Sequence, residues 1–193
     1  MRAAECERVT KETRVNVKID MDNSQEISVE TPLGWLNHLL YSMAYHGRMG
    51  LSIRAFASEG FWEHHLAEDV GIGFGIALRR LAGRSAIARF GHAKIPHDEA
   101  CADVTLDISG RSCFLDRGPR FSGDEINGVA VNEFLLGLTR KAEMTLHVSG
   151  YGEGAHHYYE ALFKALGRAM QQALAPAESI RSTKGMIHEE GLG

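Results

Sequence analysis

The sequence predicts an α+β fold built by tandem duplication, each half a small sheet with two helices on one face. Three observations carry this. The run His64-His65-Leu66-Ala67-Glu68 returns as His156-His157-Tyr158-Tyr159-Glu160, at an offset of 92 residues. Strand-like and helix-like patterning follows the same order on both sides of the middle. Landmarks between them also match: Asn37-His38 falls on Asn132-Glu133 and Leu51-Ser52-Ile53 on Leu146-His147-Val148 at an offset of 95, and Glu12 on Glu99 at an offset of 87. Any one match is within reach of chance, but their common order favours a repeat. The halves are placed at residues 6–90 and 91–176, with a tail over 177–193.

In the first half, residues 14–20 alternate polar and apolar, the pattern of a half-buried strand. Residues 24–29 read as a second strand, paired to the first through a turn around Asp22-Asn23. Pro32 and Gly34 break the chain before an amphipathic helix over residues 35–43, which Gly47 closes. A strand over residues 51–56 and a loop at Ser58-Glu59-Gly60 lead to the first His-His run and a helix reaching about Leu81. The second half repeats the order: a strand over 102–107, a helix over 129–142, a strand over 144–148, a loop over 150–154 and a closing helix over 156–174. Gly71-Ile72-Gly73-Phe74-Gly75 lacks the G-x-G-x-x-G spacing and follows a His-His run rather than a strand, so it reads as close helix packing and not as a phosphate loop.

Apolar residues at 44% and charged ones at 24% are ordinary for a globular protein with a real core. A net charge of -4 argues against a general nucleic-acid binder. Cys6, Cys101 and Cys113 form neither a disulfide framework nor a Cys-x-x-Cys clamp, and no apolar run reaches membrane-spanning length. Residues 1–8 carry charges and no apolar core, unlike a secretory signal. The expectation is a soluble cytoplasmic protein.

On a helix the first His and the Glu of each run are four apart and the second His and the Glu three apart, so all three leave from one face. Two imidazoles and a carboxylate suit a divalent first-row metal such as manganese, iron or zinc. Two copies point to a metal site assembled from a duplicated unit.

Further motifs narrow the reading: Thr10-Lys11-Glu12-Thr13, Leu36-Asn37-His38-Leu39-Leu40, His64-His65-Leu66-Ala67-Glu68-Asp69, Arg89-Phe90-Gly91, Asp98-Glu99-Ala100, Ser109-Gly110-Arg111, Phe163-Lys164-Ala165 and Ser182-Thr183-Lys184-Gly185. In this order, from about Arg8 to Gly185, the set resembles the imidazoleglycerol-phosphate dehydratase family of histidine biosynthesis. The resemblance implies a hydro-lyase that converts D-erythro-imidazoleglycerol phosphate to imidazole acetol phosphate. It implies two units of the ribosomal protein S5 domain 2-like kind, each a four-stranded mostly antiparallel sheet with two helices on one face. It also implies a homo-oligomer of 24 subunits with sites between subunits, no nucleic-acid or membrane partner, and two Mn2+ per site. Carried over by position, the metal ligands are His38, His64, His65, Glu68, Glu133, His156, His157 and Glu160. Substrate phosphate falls to Arg89, Arg111, Lys164, Ser182 and Lys184, with the 177–193 tail closing over it. Glu12, Glu160 and His46 are the candidates for catalysis.

The chain departs from the family pattern in places. Glu133 stands where an imidazole is usual, and Asn37 where an Asp would accept behind the ligand. Gly154 stands for Asn, and His97 precedes Asp98-Glu99 where an apolar residue is typical. His97, His92, His147 and His188 carry no motif and read as strand, loop or tail residues. Glu133 and Asn37 keep two alternatives open: a diverged paralogue acting on a related azole phosphate, and a catalytically silent shell that binds metal or an imidazole metabolite.

Overall fold

The computed structural model describes residues 2–83, 86–121 and 125–179. Its first half runs β1 (Ala3–Val9), β2 (Thr13–Asp20), β3 (Ile27–Glu30), α1 (Gly34–Gly47), β4 (Gly50–Ala57) and α2 (Glu63–Ala82). The second repeats the order: β5 (Phe90–His97), β6 (Ala100–Asp107), β7 (Cys113–Arg117), α3 (Gly128–Ala142), β8 (Thr145–Tyr151) and α4 (Ala155–Ala173). The sheets have matching strand orders, β1-β2-β4-β3 and β5-β6-β8-β7. Among the described residues, only the β3/β4 and β7/β8 pairs are parallel.

Residues 24–29 do not form the expected hairpin with residues 14–20. The chain crosses to the far side of β4, where β3 pairs in parallel with Ile27 opposite Leu51. The hairpin partner of β2 is β1, with Cys6 opposite Val17. Sequence reading passed over β1 because Glu5, Glu7 and Arg8 dominate it; its inward positions are the small residues Ala4 and Cys6. In the second half β5 and β7 are also additional strands.

The four helices lie between the two sheets, paired across the halves: α2 packs on α3, and α1 on α4. Paired helices run in the same direction, because Gly71 meets Phe134 and Gly75 meets Leu138 one turn later. A Cβ on Gly71 would sit 2.2 Å from the Phe134 carbonyl oxygen, so glycine sets this close approach, as the Gly-rich run predicts. Leu36, Leu39, Leu40 and Met43 of α1, Phe74 of α2, Phe134 of α3 and Phe163 of α4 are buried in one continuous core. The common direction brings the N-terminal ends of paired helices together, where both His-His runs lie. At the α2/α3 end, Asn127 Nδ2 donates to Glu63 Oε2 at 3.0 Å.

Candidate metal centre

His38 of α1 and His156 of α4 stack with ring centroids 5.9 Å apart. Glu160, one turn beyond His156, places Oε2 3.4 Å from His38 Nε2 and 3.5 Å from His156 Nε2. One donor atom from each of the three lies within 4.8 Å of the others. A histidine of the first half thus meets a histidine and a carboxylate of the second, because α1 packs on α4. Lys164 Nζ pairs with Glu160 Oε1 at 2.7 Å. Burial pushes the Glu160 carboxyl up, but the hydrogen bonds from Lys164 and His38 outweigh it and bring it down to about 2. Glu160 is therefore an anion at any working pH.

His157 faces the hairpin loop between β5 and β6. Its Nδ1–H donates to Glu99 Oε2 at 2.7 Å, and its Nε2 lies 3.7 Å from Asp98 Oδ2. The bond to Glu99 raises the imidazole above its ordinary value and holds the Glu99 carboxyl below its own. His97 stacks on His157 at 4.9 Å and accepts from Lys164 Nζ through Nδ1 at 3.2 Å. The first half repeats part of this: His65 Nδ1 donates to Glu12 Oε2 at 3.2 Å, and the His64 and His65 rings meet edge to face at 4.4 Å. Glu68 and Glu133 sit on the packed helices α2 and α3. Among the described residues, no three-donor group includes His64, His65, Glu68 or Glu133.

The anion candidates divide. Lys164 adjoins Glu160 and shares with His46, Arg48, Arg168, Tyr41 and Tyr45 the lining of an open cleft of about 1000 Å³. Burial and the Lys164 charge hold the His46 imidazole below its ordinary value against the pull of Glu160. Arg89 sits at the opposite end of β5 from His97, with φ 76°, and forks onto Asp107 at 2.6 and 2.9 Å. Arg111 is exposed beyond the same end of β6, after Gly110 with φ 78°. Ser182 and Lys184 lie outside the described residues.

Asp98-Glu99-Ala100 counts among the motifs and His97 among the departures, but sequence reading gives none of Glu99, His97 and Asp98 a role in the site. For Glu99 the signal existed, since it is the repeat counterpart of Glu12. A lone His97 after an alternating strand has no spacing to betray it. Asn37 does not serve the ring of His38 as an acceptor: its Oδ1 accepts from the Thr31 amide at 3.0 Å and hydroxyl at 2.7 Å, while its Nδ2 donates to the Thr31 carbonyl at 3.0 Å. It locks the turn that starts α1.

Residues 31–170 match the family described as imidazoleglycerol-phosphate dehydratase. The imidazoleglycerol-phosphate dehydratase of Methanococcoides burtonii is 40% identical over 193 residues, covering 97% of this chain and 100% of that one. The protein of that name from Limosilactobacillus fermentum is 40% identical over 196 residues, with the same coverage of 97% and 100%. Among solved structures, that of IGPD from Pyrococcus furiosus in complex with (S)-C348 aligns with a TM-score of 0.84 at 34% identity, over 94% of this chain and 99% of that one. Imidazoleglycerol-phosphate dehydratase from Staphylococcus aureus subsp. aureus N315 aligns with a TM-score of 0.77 at 30% identity, over 91% and 99%. Matched along nearly its whole length in sequence and in fold, the chain belongs to the imidazoleglycerol-phosphate dehydratase family.

Proposed function

We propose that this chain dehydrates D-erythro-imidazoleglycerol phosphate to imidazole acetol phosphate, as a hydro-lyase of histidine biosynthesis. The observation that carries the reading is the meeting of His38 with His156 and Glu160 beside Lys164, in a chain of this family. Two imidazoles and an ionised carboxylate fit a divalent metal, and Mn2+ is the ion the family resemblance implies. His38, His156 and Glu160 would hold one ion, and His64, His65, Glu68, Glu133 and His157 would serve the pair of ions at each site. When bound, the metal supplies charge stabilisation for the substrate's imidazole ring and a template that orients it.

The residues of the chain do the rest. A carboxyl near 2 is a weak base at neutral pH, so Glu160 acts as a ligand anion and Glu12 takes the carbon-bound proton. His46, kept neutral beside Lys164, lines the cleft as a hydrogen-bonding wall. Lys164, Arg111 and Arg89 fix the phosphate, with Ser182 and Lys184 of the 177–193 tail closing over it. Arg89 and His97 are eight residues apart in sequence, at the two ends of a strand, which is about 26 Å of extended chain. A substrate of roughly 10 Å cannot bridge that span. Arg89 and Arg111 of one copy therefore serve the histidines of another, which supports a homo-oligomer with sites between subunits, of the 24-subunit kind. No described helix is long and apolar enough to cross a membrane.

The test is a steady-state assay with imidazoleglycerol phosphate in added Mn2+, before and after chelation, alongside complementation of a strain lacking the dehydratase. Chelator-sensitive turnover and growth without histidine are expected. No turnover and no growth would overturn the reading, and turnover of another azole phosphate alone would assign the chain to a paralogue.

A further inference from the structure

We propose that Asp69, acting through Thr13 and Thr10, positions the Glu12 carboxylate for proton transfer. The inference rests on the reading of Glu12 as the base and adds the device that aims that base. Asp69 is thus a positioning residue, neither a ligand nor a base itself.

The contacts form a chain with one direction. The Asp69 carboxylate, 13% exposed, takes Arg8 Nε–H on Oδ1 at 2.8 Å and the Thr13 hydroxyl on Oδ2 at 2.5 Å. A carboxylate only accepts, so the Thr13 hydroxyl commits its one proton there. The Thr13 oxygen keeps lone pairs for the Thr10 hydroxyl, 3.1 Å away. Thr10 Oγ1 in turn accepts from the Glu12 amide at 3.2 Å and the Thr13 amide at 2.9 Å. Just past the end of β4, the Ser58 amide donates to the Glu12 carbonyl at 2.8 Å. The backbone of Glu12 is therefore held on both sides.

Glu12 needs such a device. Its side chain is 60% exposed where it reaches His65 Nδ1 at 3.2 Å, so packing does not hold it. Its loop, residues 10–13, lies between the paired Val9 and Arg14. His65 and Asp69 follow one another by about one turn of α2, so fastening Thr13 to the second sets Glu12 beside the first. A base displaced by about 1 Å can lose roughly a hundredfold in rate.

The second half shows that the fold does not require this chain of contacts. Its hairpin is a tight loop of Asp98 and Glu99 between the paired His97 and Ala100, and Glu99 reaches His157 at 2.7 Å without it. At the offsets that align Glu12 with Glu99 and the two His-His runs, Arg8 falls on Ile95, Thr13 on Ala100 and Asp69 on Ala161. None of those three side chains forms a hydrogen bond. The hairpin meets the helix in both halves. What the first half adds is a longer loop and a tie for it, under the one carboxylate read as the base.

The test uses full-length, Mn2+-loaded protein turning over imidazoleglycerol phosphate. It compares wild type with Thr13→Val, Thr13→Ser, Asp69→Asn, Glu12→Gln and the Thr13→Val/Glu12→Gln double variant. In Thr13→Val and Asp69→Asn, kcat should fall by about ten- to a hundredfold while KM and bound Mn2+ stay at wild-type levels. Thr13→Ser keeps the hydroxyl and should restore most of the rate. The double variant should be no slower than Glu12→Gln alone, because the chain acts through that carboxylate. In chelator, amide exchange of residues 10–13, read by mass spectrometry, should be at least about tenfold faster in Thr13→Val and Asp69→Asn. Wild-type kcat or wild-type exchange in those two folded variants would overturn the positioning role. Loss of Mn2+ alongside the rate, or an additive loss in the double variant, would do the same. A wild-type protein that does not turn over the substrate would overturn the dehydratase reading and this one with it; an active wild type with unaffected variants overturns this one alone.

Discussion

His157 Nδ1 and Glu99 Oε2 stand 2.7 Å apart, and the pair has a first-half counterpart in His65 and Glu12 at 3.2 Å. In both halves a helix N-terminus supplies the imidazole and the hairpin before it supplies the carboxylate. The loops differ in length, yet the pairing has survived. An imidazole held this way keeps one nitrogen oriented and free for another partner.

The pairing sets a pH dependence in metal-free protein. His157 is raised above 6.5, so its contribution is fully present below that value and is lost as pH climbs through the folded value. Glu99 is lowered below 4.5, so its contribution is present above that value and is lost as pH falls through the folded one. The pair supports the fold best between 4.5 and 6.5, weakly because both groups meet water. Glu99→Gln should return the His157 titration toward 6.5, followed by imidazole proton NMR in chelator. An unshifted curve would show that the bond does not form in solution.

Glu160→Gln removes the anion that joins His38, His156 and Lys164. Turnover should fall by at least about a hundredfold, roughly 2.7 kcal/mol of barrier, and bound Mn2+ should drop. There is also an acid signature. With its folded value at about 2 against an ordinary 4.5, Glu160 stabilises the protein above 4.5 and loses that contribution as pH falls toward 2. Urea titrations across that range should be flatter for Glu160→Gln than for wild type; parallel slopes would show that Glu160 is not held as an anion.

Much of this was legible in the sequence because repetition made weak signals mutual. One His-His-x-x-Glu run is ambiguous, whereas two at matching positions place both helix starts and their donors. Alternation identified the inward residues of β2 and β4 but not their neighbours, since period-two patterning states a face and not a partner. The parallel β3/β4 pair escaped because β4 arrives only after a helix, while a local turn at Asp22-Asn23 looked sufficient. The surroundings of His97 escaped for a different reason: its contacts with His157 and Lys164 arise only when the hairpin folds back on α4.

Asn37→Asp would restore the residue that the family resemblance leads one to expect. The structure argues that it harms this chain. Thr31 needs both an acceptor and a donor from residue 37, and a carboxylate cannot donate to the Thr31 carbonyl. Losing that bond and setting an anion against a carbonyl should cost about 1–2 kcal/mol in urea unfolding, with metal affinity unchanged. Tighter Mn2+ binding in Asn37→Asp would return Asn37 to the metal's surroundings.

Two glycines, one inside α2 and one at the N-cap of α4, should respond in opposite ways. A Cβ at Gly71 would meet the Phe134 carbonyl oxygen at 2.2 Å and its carbon at 2.9 Å, both backbone atoms unable to turn aside. Gly71→Ala must therefore push α2 and α3 apart, at a cost of about 1–3 kcal/mol. Gly154 caps α4 with φ -136° and ψ 156°, has open space around it, and offers no side chain to the first amides of the helix. The Asn127 side chain does that work for α3, accepting from Val129 and Ala130. Gly154→Asn should therefore stabilise by a few tenths of a kcal/mol. Denaturation midpoints measured in chelator isolate folding from metal binding. A stabilised Gly71→Ala would show that the two halves have slack between them, which the packing of α2 on α3 forbids.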